Sequence, residues 1–316
     1  LIMDKCKELI PEYFGFVQGL VDCELSLNIS RETVQHDRQL QKIASSIEKQ
    51  IRKELQDMCE NDRPRYEKFY ESFGLQLKVG LYNNWGMDKE KLQDLIMFYS
   101  IKQDKLVTFK DYVSSMAEGQ KYIYYATGNS ILSIKKMPQT EKVLNSGYDV
   151  LCMTDNVDEF AIKYVGSYSE KEFKNVSDGN TGIESSTEET SEEDKPILEF
   201  LKNALVGEVF DVKLSKKLGD HPVCLSSEGE ISLEMEKVFK NMPKGDVNSQ
   251  DIQAKKILEI NADHKIYQKI KSLYESNKDD LKELAEVLVD EAKLIEGLEI
   301  EDTGRFVALA TKYMAE

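Results

Sequence analysis

Residues 121–126 have the sequence Lys-Tyr-Ile-Tyr-Tyr-Ala, and residues 149–153 have the sequence Asp-Val-Leu-Cys-Met. Both runs are rich in β-branched and aromatic side chains, a composition that predicts strands. Residues 130–135 and 140–144 lie between them and are predicted to be short helices, and residues 155–164 to be a further helix. This strand–helix–strand–helix order predicts a βαβ unit with a parallel sheet, and therefore a protein of the α/β class.

Three helices are predicted on the amino-terminal side of this unit. Residues 31–59 carry apolar side chains near helical spacing, and Pro64 interrupts the pattern. A short helix at residues 66–73 is predicted to end at Gly74, because glycine is common just after the last turn. Residues 88–100 are predicted to form the third helix, with an apolar stripe along one face. These helices are interpreted as a connector bundle.

The chain becomes polar and acidic at residues 177–194, which are rich in glutamate, serine and threonine. Such a stretch cannot bury enough apolar surface to offset the entropy of ordering it, so it is predicted to be a flexible linker at a domain boundary. An acidic interaction tail is the alternative. Beyond it, a helix is predicted at residues 197–205 and a strand at residues 209–214, with residues 223–226 as that strand's partner.

One amphipathic segment follows. Ile231, Met235, Val238 and Phe239 recur at helical spacing and form a single apolar stripe. The stripe packs into its own domain in one interpretation. In the other it is an exposed surface for unfolded or varied partners, to which flexible methionine adapts well.

Two helices are predicted at the end of the sequence. The first covers residues 279–296 and stops at Gly297, and Asp302 or Thr303 can cap the second. Their apolar seam is covered either by a twofold four-helix dimer bundle or by burial within one subunit. The seam residues assigned to a dimer interface are Leu284, Leu288, Ala292, Phe306, Ala310 and Tyr313.

Composition excludes several classes of function. The chain has 316 residues, of which 41% are hydrophobic and 32% charged, and its formal net charge is -16. That charge argues against nucleic acid as a partner. The five cysteines include no CxxC pair and the three histidines are dispersed, so no metal site or disulfide framework is expected, and a reducing compartment is favoured. No apolar run approaches the ~18 residues of a membrane span.

A candidate catalytic motif lies at residues 27–32, with the sequence Leu-Asn-Ile-Ser-Arg-Glu. Ser30 can cap a helix, and Arg31 and Gln35 project from the same helical face. A guanidinium and an amide at a helix start suit a phosphate or a carboxylate, although an ordinary surface arginine has the same pattern. Residues 128–130 lack both the GxGxxG and the Walker patterns, and are interpreted as a plain turn.

Several further segments carry a family resemblance in the same order along the chain. Together with residues 27–32, they strongly resemble the heat-shock protein 90 chaperone family. These segments are residues 9–13, 19–22, 98–100, 109–113, 119–125, 155–160 and 259–261, with His264.

The resemblance implies a piece of a larger architecture. The chain begins Leu1-Ile2-Met3, which is interpreted as the end of a strand, so a fragment without the amino-terminal nucleotide-binding domain is expected. The implied fold is α/β, or α+β overall. Its expected divisions are the end of the large middle subdomain (1–60), a helical connector (61–105), a small αβα subdomain (106–176), an acidic linker (177–195) and a C-terminal dimerisation domain (196–316).

The implied function is that of an ATP-driven homodimeric chaperone that remodels client proteins. Arg31 matches the family's arginine that reaches the terminal phosphate of ATP, Gln35 matches its helper, and Asn28 lies in the same catalytic loop. ATP and magnesium would belong to the full-length protein, so this fragment alone is not expected to be an enzyme. The expected partners are partly folded or unfolded clients, a second copy of the chain and the missing ATPase domain, but neither nucleic acid nor a membrane.

Client contacts are also implied by the resemblance, at Glu159, Phe160, Ile231, Met235, Val238 and Phe239. Family members often have tryptophan where Phe160 stands. Near the catalytic motif, residues 24–28 replace the usual Asp-Leu-Pro-Leu-Asn, and the preceding loop is one residue shorter than in the family. Residues 313–316 lack the Glu-Glu-Val-Asp tail of eukaryotic cytosolic members, which favours a bacterial-type member. A cytoplasmic location is expected for that type. An autonomous enzyme that uses the βαβ unit and a passive scaffold without client function are the alternatives.

Overall fold

A computed structural model describes residues 6–22, 38–183, 191–216, 218–241 and 252–315. Short 3₁₀ turns occupy Glu12–Phe14, Asn83–Gly86 and Gln93–Leu95. The α-helices within the described ranges are α1 (Arg38–Asn61), α2 (Arg63–Tyr82), α3 (Lys89–Leu92), α4 (Phe109–Ser114), α5 (Ile131–Lys135), α6 (Pro138–Asn145), α7 (Asp158–Val165), α8 (Lys195–Ala204), α9 (Leu233–Asn241), α10 (Lys265–Ser276), α11 (Lys278–Glu296) and α12 (Thr303–Met314).

Strands and helices are mixed along the chain, which confirms the predicted α/β class, α+β overall. The strands in the described ranges are β1 (Met97–Ser100), β2 (Lys105–Thr108), β3 (Tyr122–Thr127), β4 (Leu151–Met153), β5 (Ser167–Tyr168), β6 (Lys171–Asn175), β7 (Asp211–Ser215), β8 (Val223–Glu228) and β9 (Lys255–Asn261).

The chain divides into two compact units. The first contains Leu1–Phe98, Leu106–Ser115 and Phe160–Glu170, and the second contains Tyr99–Lys105, Met116–Glu159 and Lys171–Glu316. The domain boundaries expected from the family resemblance divide the chain more finely than these units, and they stay predictions.

In the first unit, α2 is longer than predicted. Asp62 caps it by accepting a hydrogen bond from the Arg65 amide, and Pro64 lies in its first turn, where proline is tolerated. The predicted end at Gly74 is wrong, because the helix continues to Tyr82. A Cβ atom at Gly74 would lie 2.8 Å from the Tyr70 ring, so the glycine allows close packing and does not end the helix.

The predicted helix at residues 88–100 is also wrong. Only the short α3 and a 3₁₀ turn form there, and the chain then enters β1. Tyr99 and Ser100 pair in antiparallel register with Cys152 and Leu151 of β4. The continuous apolar run in this segment is compatible with a buried strand as well as with a helix. The pairing with β4 shows that it forms a strand.

The predicted βαβ unit is confirmed in the second unit. Tyr125 pairs in parallel register with Leu151, so β3 and β4 are parallel with α5 and α6 between them in sequence. β6 lies parallel on the other side of β3, where Ile123 faces Phe173. α5 and α6 pack on one face of this sheet, in a core formed by Tyr124, Ala126, Ile134, Met137, Val143, Val150, Cys152 and Val176.

A second sheet follows, with the strand order β7–β9–β8. The predicted direct pairing of β7 with β8 is wrong, because β9 lies between them, parallel to β7 and antiparallel to β8. Neither β9 nor α10 is predicted from the sequence. The core beside this sheet includes Leu201 of α8, Ile270 of α10, and Leu288 and Ala292 of α11.

The ends of the last two helices follow the sequence prediction. Gly297 adopts a left-handed conformation with φ of 70° and ends α11, which confirms the predicted end of this helix. Asp302 caps α12 by accepting a 2.8 Å hydrogen bond from the Arg305 amide.

Candidate functional site

The candidate catalytic residues Asn28, Arg31 and Gln35 lie outside the described residues. Their assignment to phosphate contact stays a prediction from the family resemblance. The structure does place the six candidate client-contact residues.

Glu159 lies in the first turn of α7 and is 1% exposed. Its Oε1 accepts hydrogen bonds from the Tyr125 hydroxyl at 3.2 Å and from the Asn175 side-chain amide at 3.0 Å. Its Oε2 accepts from the Ser232 hydroxyl at 2.5 Å. Burial, together with the adjacent Glu159, raises the pKa of Tyr125 well above its ordinary value, so this hydroxyl is a donor. Three donors thus satisfy one buried carboxyl group.

Ser232 links this carboxyl group to α9. Its hydroxyl oxygen also accepts from the Met235 amide at 3.1 Å, which is the geometry of a helix N-cap. Glu159 and Met235, predicted separately as client contacts, therefore meet through one serine. Phe160, the residue after Glu159, is half-buried.

Ile231 precedes α9 by two residues, so only Met235, Val238 and Phe239 of the predicted stripe lie on the helix, and the stripe is only partly accessible. Met235 is 5% exposed, whereas Ile231, Val238 and Phe239 are half-buried. Ile231 packs against the core of the second sheet. One member of the stripe is thus buried and the others keep some exposed surface, and the role of that surface in binding partners stays a prediction.

The other anchor of α9 is Glu236, which is 1% exposed. It accepts hydrogen bonds from Lys256 of β9 at 2.7 Å and from the Ala254 amide at 2.8 Å, and it forms a 2.7 Å ion pair with Lys240. Burial alone would raise the pKa of Glu236, but these donors outweigh it and the pKa is lowered. The paired charge fixes α9 to the second sheet.

A second buried carboxyl group lies at the end of α11. Gln139 of α6 donates from its amide nitrogen to the Leu225 carbonyl at 2.5 Å and to Glu296 Oε1 at 2.7 Å. Ser177 donates to Glu296 Oε2 at 3.4 Å. Burial raises the pKa of Glu296 to about 8, so this side chain holds its proton near neutral pH.

Sequence reasoning missed the partners of these two carboxyl groups. Ser232 precedes Met235 by three residues, and that spacing was a usable N-cap signal. Tyr125, Asn175 and Gln139 gave no local signal, because each reaches its partner across a long sequence separation.

The six candidate dimer residues differ in exposure. Leu284, Leu288 and Ala292 are at most 3% exposed and lie in the core beside the second sheet. Phe306, Ala310 and Tyr313 of α12 are half-buried. Val307 and Met314 of α12 are 59% and 81% exposed. Leu294 of α11 is 52% exposed, so both helices carry exposed apolar side chains, and the larger share lies on α12.

Two further properties concern only the described residues. No group of three or more His, Cys, Asp or Glu side chains is placed to hold a metal ion there. None of the helices in those ranges is long and apolar enough to cross a membrane.

Comparison with known proteins gives consistent matches along the chain. A family model described as Hsp90 protein matches residues 1–316. The chaperone protein HtpG of Clostridium perfringens is 52% identical over 317 residues, which is 99% of this chain and 50% of the relative. HtpG of Clostridium acetobutylicum is 53% identical over 310 residues, covering 97% of this chain and 49% of the relative. The chain thus spans about half the length of the curated relatives it matches.

Proposed function

The chain belongs to the Hsp90 family, of the bacterial HtpG type, and on this premise we propose that it binds and remodels client proteins as part of an ATP-dependent molecular chaperone. The observation that carries the proposal is the half-buried apolar stripe of α9, in a chain that matches the family along its whole length. Partly folded clients expose apolar surface, and Ile231, Val238 and Phe239 offer a complementary surface without being fully exposed.

The second part of the proposal is a homodimer formed through the last two helices. Val307 and Met314 are separated by seven residues and therefore lie on one face of α12. Half-buried Ala310 lies between them on that face. Burying this face against a second copy would remove two large exposed apolar side chains from water.

The third part concerns ATP. A guanidinium and an amide at Arg31 and Gln35, with Asn28 in the same loop, are a donor set that fits a phosphate group. We assign these three side chains to contact the terminal phosphate of an ATP molecule that is bound, together with magnesium, by a separate nucleotide-binding domain. Hydrolysis of the bound ATP would drive the chaperone cycle. Because the ATP would be bound by the separate domain, this chain alone would not hydrolyse it. The cytoplasm is the compartment that this function implies.

The test of client binding is suppression of aggregation. Light scattering by heat-denatured citrate synthase is followed with and without this chain. Suppression is expected from the chain, and Val238→Ser combined with Phe239→Ser should remove most of it, because the half-buried stripe of α9 would become polar.

The matched control is Leu132→Ser combined with Val206→Ser, which removes two exposed apolar side chains of the same unit outside α9. It should suppress aggregation like the unmodified chain. Circular dichroism establishes that both double variants are folded. Full suppression by the folded α9 variant would show that α9 is not the client surface.

A further inference from the structure

Within the second unit we distinguish the α/β part, residues 116–159 and 171–183, from the C-terminal part, residues 195–315. Polar contacts join these two halves, and most of them are buried or partly buried. The backbone links them where Ser227 of β8 donates to the Ser177 carbonyl and accepts from the Gly179 amide, both at 2.9 Å. Ser177 also donates to Glu296, and Glu141 lies 3.3 Å from His221. From the side chains that cross between the halves we define the polar joint as six, which are Asn129, Gln139 and Glu159 on one side and Ser232, Lys237 and Glu296 on the other.

Helix α9 is held from both sides of this joint. Glu236 fixes it to Lys256 of β9, within the C-terminal part. Ser232 at its start donates to Glu159, and Lys237 in its middle donates to Asn129 at 3.4 Å, both in the α/β part. The two sets of contacts use different side chains of α9 and its N-cap, so loss of the contacts to the α/β part would leave the Glu236 anchor to β9 in place.

The position of Glu159 does not suit direct contact with a client. With 1% of its surface exposed and both carboxyl oxygens accepting hydrogen bonds, it offers a client no free polar group. Accordingly, we propose that Glu159 is a positioning residue which, through Ser232, holds the α/β part closed over α9, and that clients bind α9 when this polar joint opens. This inference rests on the proposed function, because it concerns the regulation of the same client surface.

The size of the effect follows from the chemistry of the contact. A hydrogen bond to a charged group shifts an equilibrium by about one to two powers of ten. If clients bind only the open form, the apparent affinity is the intrinsic affinity multiplied by the open fraction. Weakening the Glu159–Ser232 contact should therefore raise the opening constant and the client affinity by the same factor, about tenfold.

Four single variants of the chain test this. Ser232→Ala removes the donor to Glu159, and Glu159→Gln removes the charge but keeps a similar shape. Ser232→Thr keeps the hydroxyl group and is the conservative rescue. Thr108→Ala is the matched control, because Thr108 caps α4 in the first unit with the same hydroxyl-to-amide geometry, at 3.2 Å.

Two measurements are made on each variant. Hydrogen exchange followed by mass spectrometry reports the protection of the Gly179 and Ser227 amides, which hydrogen-bond between the two halves. Fluorescence anisotropy reports binding to labelled, reduced and carboxymethylated α-lactalbumin, which is a permanently unfolded probe. We expect Ser232→Ala and Glu159→Gln to show about tenfold faster exchange at the Gly179 and Ser227 amides and about tenfold tighter binding. Ser232→Thr and Thr108→Ala should match the unmodified chain in both.

The outcomes separate this inference from the proposed function. Tighter binding that disappears when Val238→Ser and Phe239→Ser are added to Ser232→Ala supports the joint as a gate over α9. Faster exchange with unchanged or weaker binding overturns it while the proposed function stands. Unchanged exchange in both joint variants overturns it as well. Failure of every folded protein to bind the probe refutes the proposed client function itself.

Discussion

Replacing Glu296 by glutamine should remove a pH dependence of folding that one buried group creates. Glu296 is 9% exposed, and burial raises its pKa from an ordinary 4.5 to about 8, although the hydrogen bonds from Gln139 and Ser177 and the charge of Lys237 favour the ionised form. Glutamine keeps the shape, and its carbonyl oxygen can still accept from Gln139. It cannot ionise.

The folded protein keeps this proton up to about pH 8, whereas the unfolded chain releases it near pH 4.5. A raised carboxyl pKa therefore contributes stability that is fully present below about pH 4.5 and is lost as the pH rises through about 8. Between those values the unfolding free energy contributed by this group falls by about 1.4 kcal/mol per pH unit. Across two pH units the unmodified chain should lose about 3 kcal/mol relative to Glu296→Gln.

Urea unfolding at about pH 5.5, 6.5 and 7.5 measures this difference. The matched control is Glu275→Gln on the exposed surface of α10, whose unfolding free energy should follow that of the unmodified chain at each pH. The reasoning would be refuted if the Glu296→Gln and unmodified curves stayed parallel between these pH values. Parallel curves would mean that Glu296 is already ionised in the folded protein.

Three other perturbations test the catalytic loop, the dimer and a helix end. In a protein that also carries the nucleotide-binding domain, Arg31→Ala should lower ATP turnover more than tenfold. The loss should be smaller than the ~10³-fold typical of arginine fingers, because closure of the domains limits such cycles. The control Arg38→Ala, at the exposed start of α1, should leave ATP turnover unchanged, and equal turnover in the two variants would contradict the assignment. Val307→Asp should convert a concentration-dependent dimer into a monomer in multi-angle light scattering, whereas Ala308→Asp, about 100° around α12, should leave the dimer intact. Gly297→Ala should lower the unfolding free energy by about 1 kcal/mol in urea, because φ is 70° there, and an unchanged value would contradict that cost.

Local signals were sufficient for much of the fold. β-Branched and aromatic composition predicted β3 and β4, and cap chemistry predicted the end of α11 at Gly297 and a cap for α12 at Asp302. They failed where tertiary pairing decides between two structures that fit the same residues. Tyr99 belongs to a strand because β4 pairs with it, and Gly74 lies within α2, where the missing side chain leaves room for the Tyr70 ring.

The apolar surface of the candidate site was predictable from the sequence, but the hydrogen bonds between its residues were not. The apolar stripe of α9 follows from helical spacing, and the family resemblance singled out Glu159. Neither source indicated that Glu159 is buried, because its donors come from residues 125, 175 and 232, which no local pattern relates. The seam at Leu284 and Leu288 shows the same limit, since periodicity identifies an apolar face without identifying what covers it.

Polar contacts suit the proposed polar joint, because it must close in a single arrangement and must also be able to open. Apolar burial is non-directional, whereas the Glu159 carboxyl group accepts from donors in fixed directions and so specifies one closed arrangement. On opening, Glu159, Ser232 and Lys237 regain water, so the net cost of breaking each contact is modest. Removing one donor while the joint stays closed is different, because a buried carboxylate is then left with an incomplete set of partners. Loss of the Ser232 hydroxyl should therefore penalise the closed form specifically, and shift the equilibrium toward the form in which α9 is accessible.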